Sequence, residues 1–137
     1  MLLTKECDYG VRIVRGLADG RKKTVNALCK KEQIPVPYAY KILKKLEQAG
    51  LLHSLRGRDG GYQLARSLDE MTLYNIFAAV DEQLFIFECL DDKKICPFHR
   101  PQEPCSVHLE LERLQDVLIG EMRAKTMRQV LSPFAVT

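Results

Sequence analysis

Five candidate metal donors fall within one short segment, CLDDKKICPFHRPQEPCSVH: Cys89, Cys96, His99, Cys105 and His108, spaced C-x6-C-x2-H-x5-C-x2-H. Thiolates favour iron–sulphur clusters, zinc and copper(I), and imidazole can complete any of these sites. Structural zinc sites rest on tight cysteine pairs, and the segment has none, so zinc is the weaker reading. Free thiols without a metal are the bland one. The other two cysteines, Cys7 and Cys29, fall on apolar helix faces and read as core residues. A cysteine nucleophile would also need a base, an orienting group and a substrate pocket. Nothing marks the last two, and the chain does not read as an enzyme.

A second chemistry lies in PVPYAYKILKKLEQAGLLHSLRGRDGGYQL, from Pro35 to Leu64. Ala39, Ile42, Leu43, Leu46 and Ala49 recur at helical spacing, and the opposite face carries Tyr38, Tyr40, Lys41, Lys44 and Lys45. Pro37 suits a first helical turn, and Gly50 suits the left-handed position that ends a helix. Leu51 to Leu55 and Tyr62 to Leu64 then flank a tip carrying Arg56 and Arg58. The tip glycines are not a dinucleotide-binding fingerprint, because a strand follows them rather than a helix. A lysine-bearing face alone is usually just solvated. A basic helix followed by a basic hairpin is, however, what a winged helix-turn-helix uses to grip a DNA groove and the adjoining backbone.

The elements needed to hold these groups can be read in order. Leu3 to Ala18 is apolar at helical spacing and ends at Asp19-Gly20. Arg21, Lys22 and Lys23 form a basic connection, either a phosphate contact or plain loop. Thr24 can cap a helix over Val25 to Lys31, and Gln33-Ile34-Pro35 makes the turn into the basic helix. Thr72 can cap a helix over Leu73 to Asp81, and QLFIFE (83–88) reads as an extended segment laid against the core. Ser106 opens a long helix in which Val107, Leu111, Leu114, Leu118 and Met122 form a seam, widened by Leu109 and Val117. That seam suits packing on a second copy or on the chain's own core, and the dimer is preferred because helix-turn-helix proteins read two half-sites by two-fold symmetry. Thr126 to Leu131 adds a further turn. The fold expected is mostly α with a small β-hairpin: a winged helix-turn-helix plus a long C-terminal dimerisation helix. It divides into a DNA-binding domain (1–82), a cysteine-bearing loop (83–105) and a dimerisation helix with tail (106–137).

The totals agree with this division. Residues 1–66 hold 14 Lys and Arg against 6 Asp and Glu, whereas the remainder holds 7 against 12. A polyanion-binding front half and a back half with another task are implied. Five cysteines, an odd number, with no leader segment argue against a disulfide framework, and no stretch reaches the ~20 apolar residues of a membrane span. A soluble, cytoplasmic protein is expected.

On the opening Leu3-Thr4, the segment YAYKILKKLEQAGLL, the wing RGRDGGYQL, the run IFAAVDE and three cysteines before the long helix, the chain resembles the Rrf-two family of bacterial winged-helix transcriptional regulators. The resemblance covers nearly the whole chain. It implies a homodimer on palindromic, double-stranded promoter DNA, with a wing arginine in the minor groove. It also implies an iron–sulphur cluster (2Fe-2S or 4Fe-4S) whose state alters DNA affinity, with redox or nitric oxide sensing. Cys89, Cys96 and Cys105 match the cluster cysteines. The fourth ligand is either His108, as in IscR-like members, or Asp8 lent by the partner chain, as in NsrR-like members. Asp8 is preferred, because ligation would explain a charge so near an apolar helix face. The cysteine spacers are longer than is common in the family, and His99 is an extra donor. The alternatives are a cluster-free, CymR-type regulator answering to a partner enzyme or thiol state, and a zinc-binding interaction protein.

Overall fold

The computed structural model describes residues 3–132. Helix α1 (Lys5–Gly16) starts behind Thr4, whose side chain accepts the Cys7 N–H, and this cap places its start two residues later than the apolar pattern suggests. Its inner face of Cys7, Ile13, Val14 and Leu17 is buried. Helices α2 (Val25–Glu32) and α3 (Val36–Gln48) form the helix-turn-helix, with Leu28, Ile34, Ala39, Ile42, Leu43 and Leu46 completing the core against α1. Cys29 is buried as the sequence suggests, and desolvation pushes its thiol pKa up.

The turn between α2 and α3 is tight because Gln33 adopts the left-handed conformation (φ 56°, ψ 52°), the only described non-glycine residue with positive φ. Gly50 takes the same conformation after α3 (φ 79°) and leads into strand β1 (Leu52–Leu55), which pairs antiparallel with β2 (Gly61–Leu64) in the register Leu52↔Leu64 to Leu55↔Gly61.

After a 3-10 turn at Leu68–Glu70, α4 (Leu73–Val80) begins with a full capping box between Thr72 and Asn75 and buries Ile76, Phe77 and Val80. It crosses α1 at Gly10, where an added methyl would lie only 3.0 Å from Ile76 and 3.3 Å from Val80. The 83–88 run makes no strand. Leu84 and Ile86 pack on the core, and the Ile86 N–H donates to the side-chain oxygen of Gln115 at 3.0 Å rather than to a strand partner. A second 3-10 turn (Glu88–Leu90) opens the cysteine loop, which runs to Cys105 at the start of α5 (Ser106–Ala124).

Helix α5 divides the predicted seam. Leu111 is half-buried and Met122 buried, joined on the inner side by His108, Gln115 and Ile119, whereas Val107, Leu114, Val117 and Leu118 lie exposed along the adjoining stripe. Helix α6 (Met127–Leu131) turns back on the segment from Leu68 to Met71. The Met127 N–H donates to Met71 O at 2.6 Å, Arg128 pairs with Asp69 at 2.7 Å, and Met127 is fully buried. Arg123 stacks over the Tyr74 ring at 3.9 Å. The core is therefore continuous from α1 to α6.

A side chain at left-handed φ is strained, and glycine relieves it. Gln33→Gly should raise unfolding stability in urea by about 0.5–1 kcal/mol, while Gln33→Val should lower it.

Candidate nucleic-acid interface and metal loop

The basic connection before α2 proves structural at one of its residues. Lys23 forms an isolated antiparallel bridge with Tyr62, its N–H donating to Tyr62 O at 2.9 Å and its carbonyl accepting the Tyr62 N–H at 2.8 Å. Its ammonium donates to Gly16 O at 2.6 Å and pairs with Asp19 at 2.9 Å, so it is not a free phosphate ligand. The bridge fixes the wing to the helix-turn-helix. It requires Gly61, because a Cβ there would strike the Lys23 carbonyl; Gly60 likewise leaves no room for one beside Leu55 O at 2.7 Å.

The anchored wing and α3 enclose a cleft of about 490 Å³. Tyr40 lines it from α3, Arg56 and Arg58 from the wing tip, and Thr24, Val25 and Asn26 from the start of α2. The cleft thus gathers two guanidinium groups, an exposed phenol and the N–H-bearing end of a helix, which favours anions. The α2 terminus was legible in the sequence only as a cap. Lys44 and Tyr38 are exposed on α3, and among the described residues Lys44, Arg56 and Arg58 form no ion pair.

The other two lysines of α3 are already engaged. Glu6 takes Lys41 on one oxygen (2.7 Å) and Lys45 on the other (2.8 Å), while Lys45 also donates to Val80 O at 3.0 Å and is half-buried. These hydrogen bonds hold the Glu6 carboxyl below its usual pKa and raise that of Lys41. Sequence periodicity placed both lysines on the outer face but could not find a partner 35 and 39 residues away.

Asp8 is held on its own helix. Arg12 donates Nε and Nη2 to its two oxygens at 3.0 Å each, and Arg12 Nη1 also reaches Glu32 O. Arg12 thus gives the charge near the apolar face of α1 a half-exposed partner within this chain.

The three loop cysteines are free thiols, half-buried, in two places. Cys89 and Cys96 border one pocket of about 220 Å³, across which Lys94 pairs with Glu88 at 3.3 Å. Cys105 lies at the N-cap of α5, its N–H donating to His99 Nδ1 at 3.1 Å. The rings of His99 and His108 stack with centroids 3.8 Å apart, and the His108 Nδ1 atom is buried without a hydrogen-bond partner. Among the described residues no three His, Cys, Asp or Glu side chains converge to hold a metal ion. The donor types nonetheless fit an iron–sulphur cluster: three accessible thiols, and beside the third a ring nitrogen whose orphaned state is costly unless a ligand completes it.

A family model described as an iron-dependent transcriptional regulator, Rrf2, matches residues 3–133. A Synechocystis protein named as an HTH-type transcriptional regulator is 39% identical over 87 residues, covering 61% of this chain and 59% of that relative. The protein rrf2 of Nitratidesulfovibrio vulgaris is 30% identical over 100 residues, covering 71% of this chain and 67% of its own. In fold the chain is similar to CymR of B. subtilis (TM-score 0.76, 19% identity, 97% and 98% of the two chains) and to T. potens IscR (TM-score 0.73, 19% identity, 97% and 88%).

Because the Gly61 contact excludes a methyl group, Gly61→Ala should break the Lys23 bridge. Two backbone hydrogen bonds are then lost, and urea denaturation should show a stability loss of about 2 kcal/mol.

Proposed function

Because the chain belongs to the Rrf2 family of transcriptional regulators, we propose that it acts as a homodimer that binds double-stranded promoter DNA under the control of an iron–sulphur cluster. The observation that carries the DNA reading is the cleft joining Tyr40, Arg56 and Arg58 to the start of α2. Arg56, Arg58 and Lys44 would neutralise phosphates or enter grooves, and Tyr38 and Tyr40 would position α3. Lys41 and Lys45 would meet DNA in competition with Glu6, which neutralises their charge. The exposed apolar stripe of Val107, Leu114, Val117 and Leu118 on α5 supports the homodimer, since burying it against a second copy removes apolar surface from water. Among the described residues no helix is long and apolar enough to cross a membrane.

Cys89, Cys96 and Cys105 would hold the cluster, with His108 as fourth ligand in place of Asp8. The unpartnered Nδ1 of His108 supports that choice, as does the engagement of Asp8 by Arg12. When bound, the cluster supplies a redox- and ligand-sensitive centre. What the chain supplies is the coupling. Cys105 occupies the N-cap position of α5, His108 lies on the inner side of α5, and Gln115 on the same helix holds Ile86 at the root of the loop. Gathering the loop cysteines therefore acts on α5, and through a shared α5 pair on the spacing of the two reading heads. In such dimers half-sites lie about 34 Å apart, so small rigid-body changes alter affinity.

The second reading is a cluster-free regulator of the CymR type, favoured by the shared pocket of Cys89 and Cys96 and by the absence of converged donors among the described residues. Protein purified without oxygen should show visible absorption and equal iron and sulphide, lost in His108→Ala and kept in Asp8→Ala. The reverse outcome assigns Asp8. Colourless protein after attempted reconstitution removes the cluster, and zinc without sulphide supports the zinc-binding alternative.

A further inference from the structure

We propose that Glu6 sets the affinity of the reading head: it occupies Lys41 in the free protein and so holds back a phosphate contact that α3 could otherwise make. This rests on the DNA-binding reading above. The two lysines that Glu6 bridges are not equivalent. Lys45 has a second acceptor in Val80 O and a side chain only 32% exposed, so it anchors the carboxylate to α3 and the end of α4. Lys41 is 58% exposed, and among the described residues Glu6 is its sole ion-pair or hydrogen-bond partner. One lysine fixes the carboxylate, and the fixed carboxylate captures the other.

Lys41 is exposed on α3, three residues from exposed Tyr38 and three from unpaired Lys44, and one residue from Tyr40 of the wing cleft. A phosphate approaching Lys41 must compete with a carboxylate already 2.7 Å from the ammonium. Exposed ion pairs are weak, so the competition is close rather than prohibitive. Its effect falls hardest on non-specific binding, which rests almost wholly on phosphate neutralisation. Glu6 thus lowers background affinity without touching a base-reading group.

The test is a double-mutant cycle on the full chain, read by fluorescence anisotropy on a labelled mixed-sequence duplex of about 30 base pairs over a range of salt. If the wild-type dimer contacts about eight phosphates, log affinity falls with log salt at a slope of roughly −7. Glu6→Gln keeps a hydrogen bond for Lys45 while releasing Lys41. It should bind about fivefold tighter, with a slope steeper by about 2, one phosphate per subunit. Lys41→Met alone should stay within about twofold of wild type, yet in the Glu6→Gln background it should abolish the gain in both affinity and slope. Equal weakening by Lys41→Met in both backgrounds, or an unchanged slope in Glu6→Gln, overturns the proposal, because removal of a charge by itself acts additively. Thermal melting checks that each variant folds. Should Glu6→Gln not fold, Lys41→Met decides: near-wild-type binding supports the proposal, and a loss of about tenfold overturns it. Wild-type protein that shows no salt-dependent binding removes the DNA reading itself and this proposal with it, whereas an additive cycle on binding protein removes only the role of Glu6.

Discussion

The carboxylate of Glu32 is the constraint on which the reading head depends. It is the one buried charged side chain among the described residues, and it sits on the last residue of α2, immediately before the left-handed turn at Gln33. A buried carboxylate is tolerated only when paired and hydrogen-bonded. Arg15 of α1 supplies the pair, with Nε 3.1 Å from both oxygens and Nη2 also bonded, and Glu32 in turn raises the pKa of Arg15. Arg12, one turn earlier, takes the Glu32 carbonyl at 3.2 Å. Two arginines on one helix thereby fix where α2 ends, and that point determines the direction in which α3 leaves. Gly16 permits the approach: an added methyl would meet Leu28 at 2.8 Å and Glu32 at 3.2 Å.

The wing is positioned by a second, independent device. A two-stranded hairpin alone is marginal in water. Here Lys23 adds a bridge to β2, and the Gln63 amide donates to Gly20 O at 2.6 Å, so the hairpin is attached to the segment joining α1 and α2. Arg56 and Arg58 can therefore extend on a short tip while its base stays in register with the helix-turn-helix. The glycines at 60 and 61 serve close packing, whereas Gly57, at φ 112°, serves the turn.

What the sequence revealed follows from the range of each interaction. Local signals were legible: Thr24 and Thr72 each cap a helix, a further turn follows Thr126, Gly50 ends α3, and the hairpin lies within a residue of its expected bounds. Interactions between distant segments were not. Glu6 with Lys41, Arg15 with Glu32, and Lys23 with Tyr62 carry no periodic trace, because each joins single residues across separate elements. The α5 seam was visible as apolar spacing, yet spacing could not separate Leu111 and Met122, which face the chain's own core, from Val107, Leu114 and Leu118, which remain exposed. The inner position of His108 was hidden for the same reason. A ring nitrogen without a partner is a property of packing, and only the fold displays it.

One helix thus serves both halves of the molecule: the inner face of α5 meets the core and carries His108 beside the cysteine loop, and its exposed stripe is free to meet a second copy. That arrangement suits a dimeric regulator in which loop chemistry and DNA reading share a mechanical element. The most direct measurement is selection of bound sequences from a random duplex pool by protein purified without oxygen. The account predicts enrichment of an inverted repeat whose half-site centres lie about 34 Å apart, one helical turn. A bound pool with no sequence enriched over the starting pool would contradict it.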